Sequence, residues 1–402
     1  MSSPDLPLGT LRRGRGVLEV PGVALGHTAH TGAGRLTGTT VVVPPPGTLA
    51  GVDVRGGGPA SHETDILAPG TLGYGADAVV LTGGSALGLV TAHGVQRGLL
   101  ADGRGFPAPG LPGVTVPIVP AAGIFDLGRG GEPAAPPVEE DGLAAYRDAR
   151  ADQPDLRGSV GAGAGAWTGR GLLRGGLGQA VITTPAGHTV AALVVANPMG
   201  GVLDPTGALH CATVLARYRI AVPQAHGLRA RFAEFHGGEG TSGREGTGAS
   251  GGDGDGGGSA GVKGGGGGAG GGTGGGEGAG ARNTTIACIV TDARLDAAQA
   301  TRLAQSAHAG LARAIHPSHT LFDGDAVFAL ATGERALAGP EAAALVELNI
   351  AAADVLAAAI VDAVLSAAPD TVPGRVTAAG VPAPPALVEV DPAAAEAWRA
   401  LP

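Results

Sequence analysis

The sequence predicts an α/β fold, a single sandwich domain interrupted by a glycine-rich insertion. Three observations predict it. Short β-branched runs alternate with Gly/Pro turns from Val17 to Pro120. Helical periodicities follow several of those runs, as α/β chains require. Strand and helix patterns then recur on both sides of a stretch, Gly237 to Gly280, in which more than half of the residues are Gly. The two parts therefore interleave in one sandwich, and the stretch interrupts a domain instead of separating two.

Residues 1–16 are polar, rich in Gly and Pro, and read as a flexible tail. They lack the apolar run of a signal peptide, which makes the cytoplasm the expected compartment. From residue 17 to 236 the large part of the domain carries strands at Val41–Val43, Ala78–Leu81 and Val114–Val119. A helix opening at Gly83-Gly84-Ser85 runs from Ala86 through Leu89, Val90 and Val95 to Leu99, and a short helix covers Glu139–Ala151. Gln179–Thr183 and Thr189–Asn197 read as paired strands joined at Ala186-Gly187, with a short helix over Leu209–Ala216. Residues 237–281 hold almost nothing bulky, cannot bury enough apolar surface to offset ordering, and are expected to be disordered. The small part, 284–402, opens with a buried strand, Ile286–Asp292, then a helix over Asp296–Ile315 stopped by Pro317. A strand over Asp323–Leu330 and the helix Ala342–Ala367 follow. That last helix is apolar enough to suggest a membrane span, yet Glu347, Asp354 and Asp362 share one face, so it reads as an amphipathic helix of a soluble protein.

Of 402 residues, 44% are hydrophobic but only 3% aromatic, so the core is built from Ala, Val, Leu and Ile and its elements approach closely. The net charge of -9, without a Lys/Arg-rich run, argues against nucleic-acid and anionic-membrane partners. A small molecule is the expected partner. Cys211 and Cys288 are too few for a disulfide framework or a thiolate zinc site and read as small buried residues.

The junction Arg282-Asn283-Thr284-Thr285-Ile286 takes the chain from glycine to an apolar strand. A hydroxyl residue behind a small polar one is what a self-cleaving precursor needs. Cutting Asn283/Thr284 gives Thr284 a free α-amine beside its own hydroxyl, with base and nucleophile in one residue. The alternative is an ordinary strand threonine after a turn asparagine. Asn197, ending an apolar strand before Pro198, offers an amide donor for an oxyanion; alternatively it caps a turn. Asp323 and Asp325 point to one side of extended chain, where one could hold the new ammonium and the other orient the Thr284 hydroxyl. A solvated acidic turn is the alternative there.

These residues stand among further landmarks in order: Pro21–Thr28, Gly38–Val43, Gly56-Gly57-Gly58-Pro59 with Glu63-Thr64-Asp65, Leu81–Leu89, Val116–Pro120, Ile124–Leu127, Gly161–Ala166 and Val194–Asn197. From Pro21 to Ala367 the chain resembles the D-aminopeptidase/β-aminopeptidase family of self-processing hydrolases, which includes the nylon-oligomer hydrolases. The resemblance implies an αββα sandwich, no metal or other cofactor, and a homo-oligomer of processed heterodimers, a tetramer, acting on a small peptide or amide. It also implies that Thr284 is the nucleophile, Asn197 the oxyanion donor and Tyr146 an assisting phenol. Thr284 and Asp323-x-Asp325 are similar to the 6-aminohexanoate-oligomer endo-hydrolases, where aminopeptidases carry Ser and Ser-x-Glu. Those oligoamide enzymes use a lysine near the Gly161–Ala166 segment; here the nearest basic residue is Arg170, suited only to an electrostatic role. Glu139 and Glu140 are a candidate anchor for a substrate amine or a solvated first-turn pair. Gly83-Gly84-Ser85 lacks the full serine-hydrolase elbow, and His308, His316 and His319 carry no ligand motif. Two other readings stay open: acyl transfer on the same fold, and a non-catalytic binding protein.

Overall fold

The computed structural model describes residues 9–32, 34–239 and 283–402. Two large sheets contain Thr10–Arg12 (β1), Ala24–His30 (β2), Thr37–Val43 (β3), Leu49–Val54 (β4), Ser61–His62 (β5), Val79–Thr82 (β6), Ala121–Gly123 (β7), Gly176–Thr183 (β8), Thr189–Asn197 (β9), Thr284–Ala293 (β10) and Ala326–Arg335 (β11). One sheet runs β1-β8-β9-β10-β11-β4 and the other β2-β3-β6-β7-β5. The two strands after the glycine stretch, β10 and β11, thus lie side by side between β9 and β4 of the part before it, in one sheet.

The helices Thr91–Ala101 (α1) and Glu139–Asp148 (α2) cover the five-stranded sheet, while Ala297–Ala314 (α3) and Glu341–Leu365 (α4) cover the six-stranded one. Between the sheets lies a third apolar layer, so the order is α, β, β, α. Strand β10 shows the cause. Ile286, Cys288 and Val290 face the other sheet, whereas Ala287 and Ile289 face the helices, the period-2 alternation of a strand buried on both faces. The Ala-rich composition has its structural counterpart in close backbone approach. A methyl at Gly310 of α3 would fall 1.8 Å from Ala353 O on α4, and one at Gly178 of β8 would fall 2.1 Å from Ala359 O.

Several expectations are corrected. Thr10–Arg12 pairs with Val181–Thr183, so part of the expected tail belongs to the sheet. In the Val114–Val119 run only Thr115–Val116 forms a strand, in a small hairpin with Phe106–Pro107; Pro117 and Pro120 cannot donate to a ladder, and the large sheet is joined afterwards, by β7. The helix after Gly84 comes in two pieces, Ser85–Gly88 and α1. On α4, Asp354 and Asp362 are wholly buried, so its polar face turns inward to ion pairs and not to water. The helix is long and apolar enough to cross a membrane, but it is mostly buried in the protein. Residues 240–282, most of the glycine stretch, lie outside the described residues.

Candidate active site

β9, β10 and β11 end or begin at one mouth of the sandwich. Asn197, the last residue of β9, is the antiparallel partner of Thr284, the first of β10. By strand parity Asn197 follows Leu193 and Val195, and Thr284 precedes Ile286, so both project towards the layer between the sheets. The ladder continues upstream of the junction, because Asn283 bridges Asp323 in parallel and its N–H donates to Phe322 O at 3.2 Å. Ladder contacts thereby fix the backbone on both sides of the Asn283–Thr284 bond. Asn283, Thr284, Thr285, Asn197, Asp323 and Asp325 are all buried, none more than 4% exposed.

The Thr284 hydroxyl donates to Asn283 O at 2.5 Å and accepts from Gly324 N–H at 3.2 Å. Gly324 N–H also lies 3.1 Å from Asn283 O, so one donor covers both the nucleophile and the carbonyl before it. Only glycine fits: a methyl there would fall 2.9 Å from Thr284 Oγ1 and 2.8 Å from Gly58 O. The Gly56–Pro59 landmark has its reason here, since Gly57 and Gly58 donate backbone N–H groups to Thr320 O and Asp323 O and clamp the loop that presents Gly324.

The two aspartates hold the surrounding backbone rather than the hydroxyl. Asp325 accepts from Thr285 N–H at 2.7 Å and from His319, through its ring Nδ1 at 2.8 Å and its backbone N–H at 3.2 Å. Asp323 accepts from Thr320 N–H and hydroxyl at 2.9 and 2.6 Å and from Met199 N–H at 3.1 Å. Burial holds the Asp325 carboxyl above its ordinary range; the His319 bond opposes this, and the neighbouring Asp323 charge adds to it. Asn197 Oδ1 accepts from Arg129 Nη1 at 2.5 Å and from Trp167 N–H at 3.0 Å. Burial lowers the Arg129 guanidinium to about 10, which leaves it charged at neutral pH.

Thr284, Asn197, Asp323 and Asp325 thus come together as expected. Tyr146 does not join them by any described contact: it lies on α2, and its hydroxyl donates to Asp102 at 2.7 Å. Glu139 opens the same helix and pairs with Arg97 at 2.9 Å, beside Glu140. Arg170 sits in the turn between Trp167–Thr168 and Leu173–Arg174, where Gly169 N–H donates to Gly200 O. Arg129 bonds Asn197 directly, and it lies just beyond the Ile124–Leu127 landmark without a motif of its own to mark it. His319 was set aside for want of an acidic motif; its partner, Asp325, stands six residues later. Gly324 also went unnoticed, because a backbone donor has no side-chain signature.

Comparison with known proteins gives this constellation a setting. The model of Peptidase family S58 matches residues 16–377. An uncharacterized aminopeptidase of Mycobacterium leprae is 38% identical over 372 residues, spanning 87% of this chain and 90% of its own. The 6-aminohexanoate-oligomer endohydrolase of Kocuria sp. is 27% identical over 330 residues, 79% of this chain and 74% of its own. Among solved structures, a Burkholderia sp. beta-aminopeptidase superposes with a TM-score of 0.60 at 21% identity, over 98% of this chain and 96% of its own. An L-aminopeptidase D-Ala-esterase/amidase from Ochrobactrum anthropi, described as a variant of the Ntn hydrolase fold, gives 0.57 at 19%, over 90% and 89%. The chain therefore belongs to Peptidase family S58 and is a hydrolase.

Proposed function

We propose that this chain is a precursor that cuts itself between Asn283 and Thr284, and that the exposed Thr284 then hydrolyses amide bonds of small peptides or oligoamides. The carrying observation is the Thr284 hydroxyl, bonded to the carbonyl it would attack and to Gly324 N–H. Attack of Oγ1 on the Asn283 carbonyl carbon forms a tetrahedral centre whose oxygen Gly324 N–H already meets. Collapse breaks the C–N bond and leaves Asn283 as an ester on Thr284, with the α-nitrogen taking a proton. Water then releases the Asn283 carboxylate.

The new α-amine has an ordinary pKa of roughly 8, so at neutral pH a useful fraction is free to accept the hydroxyl proton when Thr284 attacks a substrate carbonyl. Asp325, bonded to the next amide, and Asp323, bonded to Met199 just beyond Asn197, bracket the place where the ammonium forms. Asn197 stabilises the substrate's tetrahedral oxyanion, and water activated by the α-amine frees the acid. Because Thr284 is only 4% exposed, the cut is also what opens the site. Thr284 with Asp323-x-Asp325 favours oligoamides among the substrates, and the cleaved heterodimers assemble into a homo-oligomer.

The test incubates purified protein with alanine p-nitroanilide and, separately, with 6-aminohexanoate oligomers, with and without an added amine. Release of free acid in both conditions is expected. Acid formed only as a conjugate of the added amine would make the protein a transferase, and no turnover of any amide would leave a binding role.

A further inference from the structure

Asn197 presents a problem that its own strand does not solve. A side-chain amide works as an oxyanion donor only if its nitrogen, not its oxygen, faces the developing oxyanion. At the end of a strand, either orientation is open to it. Two obligate donors decide the matter here. Arg129 Nη1 and the Trp167 backbone N–H both aim at one Asn197 atom, and neither group can accept a hydrogen bond. That atom must be the oxygen, which leaves the NH2 group turned away from them. Its only described protein partner is Phe125 O at a long 3.4 Å.

Arg129 is itself held by further contacts. The same Nη1 donates to Gly165 O at 2.6 Å, and the guanidinium lies over the Trp167 ring at 4.6 Å. Asp126 lies near enough for its charge to favour the cation, while the Arg174 charge opposes it. The residue is 6% exposed, so its bond to Asn197 forms in a low-dielectric setting where an ionic hydrogen bond is strong. A cation on the amide oxygen also draws electron density from the nitrogen and makes its N–H a better donor to a developing negative charge.

We infer that Arg129 is a positioning residue for hydrolysis: it locks Asn197 with its amide nitrogen towards the Thr284 side and polarises that amide for the oxyanion. The inference rests on Asn197 being the oxyanion donor of the site proposed above. It places a positive charge behind the oxyanion site on the segment after β7.

The experiment is a double-mutant cycle on alanine p-nitroanilide hydrolysis by processed protein, using Asn197→Ala, Arg129→Met and both together, with thermal unfolding of each. Asn197→Ala is expected to lower kcat by about a hundredfold, the typical loss for one oxyanion donor. Arg129→Met should lower kcat at least about tenfold with KM nearly unchanged, and the double variant should be no slower than Asn197→Ala alone. Arg129→Lys, which keeps a donor and a charge, should recover part of the loss. If Arg129→Met does not fold, Arg129→Lys alone against Asn197→Ala carries the same test of non-additivity. Multiplying losses, or an effect confined to KM, would overturn the positioning role while leaving Asn197 in place. A fully active Asn197→Ala would overturn both readings at once.

Discussion

On α4, Asp354 and Asp362 are wholly buried, and each meets guanidinium groups. Asp354 pairs with Arg217 and Arg313, both at 3.1 Å, and accepts from the Tyr218 hydroxyl. Asp362 pairs with Arg13 and Arg157 and accepts from Gln179 N–H, Trp398 Nε1 and the Ser366 hydroxyl. At the sheet mouth Asp323 and Asp325 are buried as deeply, yet their partners are backbone N–H groups, one hydroxyl and one imidazole. Among the described residues no guanidinium pairs with them. A carboxylate already matched by arginine has its charge spent on the fold. One met mainly by backbone and hydroxyl donors keeps a capacity for a new cation, and cleavage at Thr284 would create one beside it. Burial alone therefore does not mark an acid as structural or functional; the kind of partner does.

The comparison breaks or sharpens in three ways. The largest expected effect falls on the structural pair. Asp362→Ala takes from Arg13 and Arg157 the carboxylate they share, leaving Arg157 only Asp155, and should cost about 3 to 5 kcal/mol of stability, read as a fall in the midpoint of denaturant unfolding. A loss below about 1 kcal/mol would erase the distinction. Next comes Asp325→Asn, which keeps the shape and the oxygen that receives Thr285 N–H but removes the charge. Turnover should drop by roughly a hundredfold, on the order of other proton-handling losses, a larger loss than the stability cost of setting an amide nitrogen against the His319 N–H. Equal damage to stability and activity would make Asp325 another structural acid.

The third concerns Asp126, an acid between the two types, held by Gly84 N–H at 2.7 Å and near the Arg129 charge. Burial raises it from 3.8 to about 6, against the opposing pull of Gly84 and Arg129. Between those pH values the folded protein keeps a proton that the unfolded chain has released, so this group's contribution falls as pH rises through the window. The total is up to about 3 kcal/mol. Asp126→Asn should flatten the dependence between roughly pH 4 and 6; an unchanged pH profile of unfolding would contradict the raised value.

Much of this was legible in the chain, for reasons the residues make plain. The alternation of Ile286 to Val290 and the isolation of Thr284 after glycine are local patterns, and the fold preserves them. Asn197 was readable because it ends an apolar run, and the two aspartates because they flank one glycine. What escaped notice depends on contacts across the sequence. Arg129 reaches Asn197 over 68 positions, and the α4 aspartates find arginines from distant segments. Periodicity places Asp354 and Asp362 on one helix face but does not reveal what covers it. The roles expected for Asp323 and Asp325 belong to the cleaved form, where the ammonium exists; in the uncut chain Gly324 N–H meets the hydroxyl.

The central claim is that the Asn283/Thr284 bond is the one this molecule is built to break. Intact mass of the purified protein after incubation tests it most directly. Two chains are expected, one ending at Asn283 and one beginning at Thr284, with Thr284→Ala remaining a single full-length chain. A wild-type protein that stays whole, or a cut at any other bond, would contradict the account.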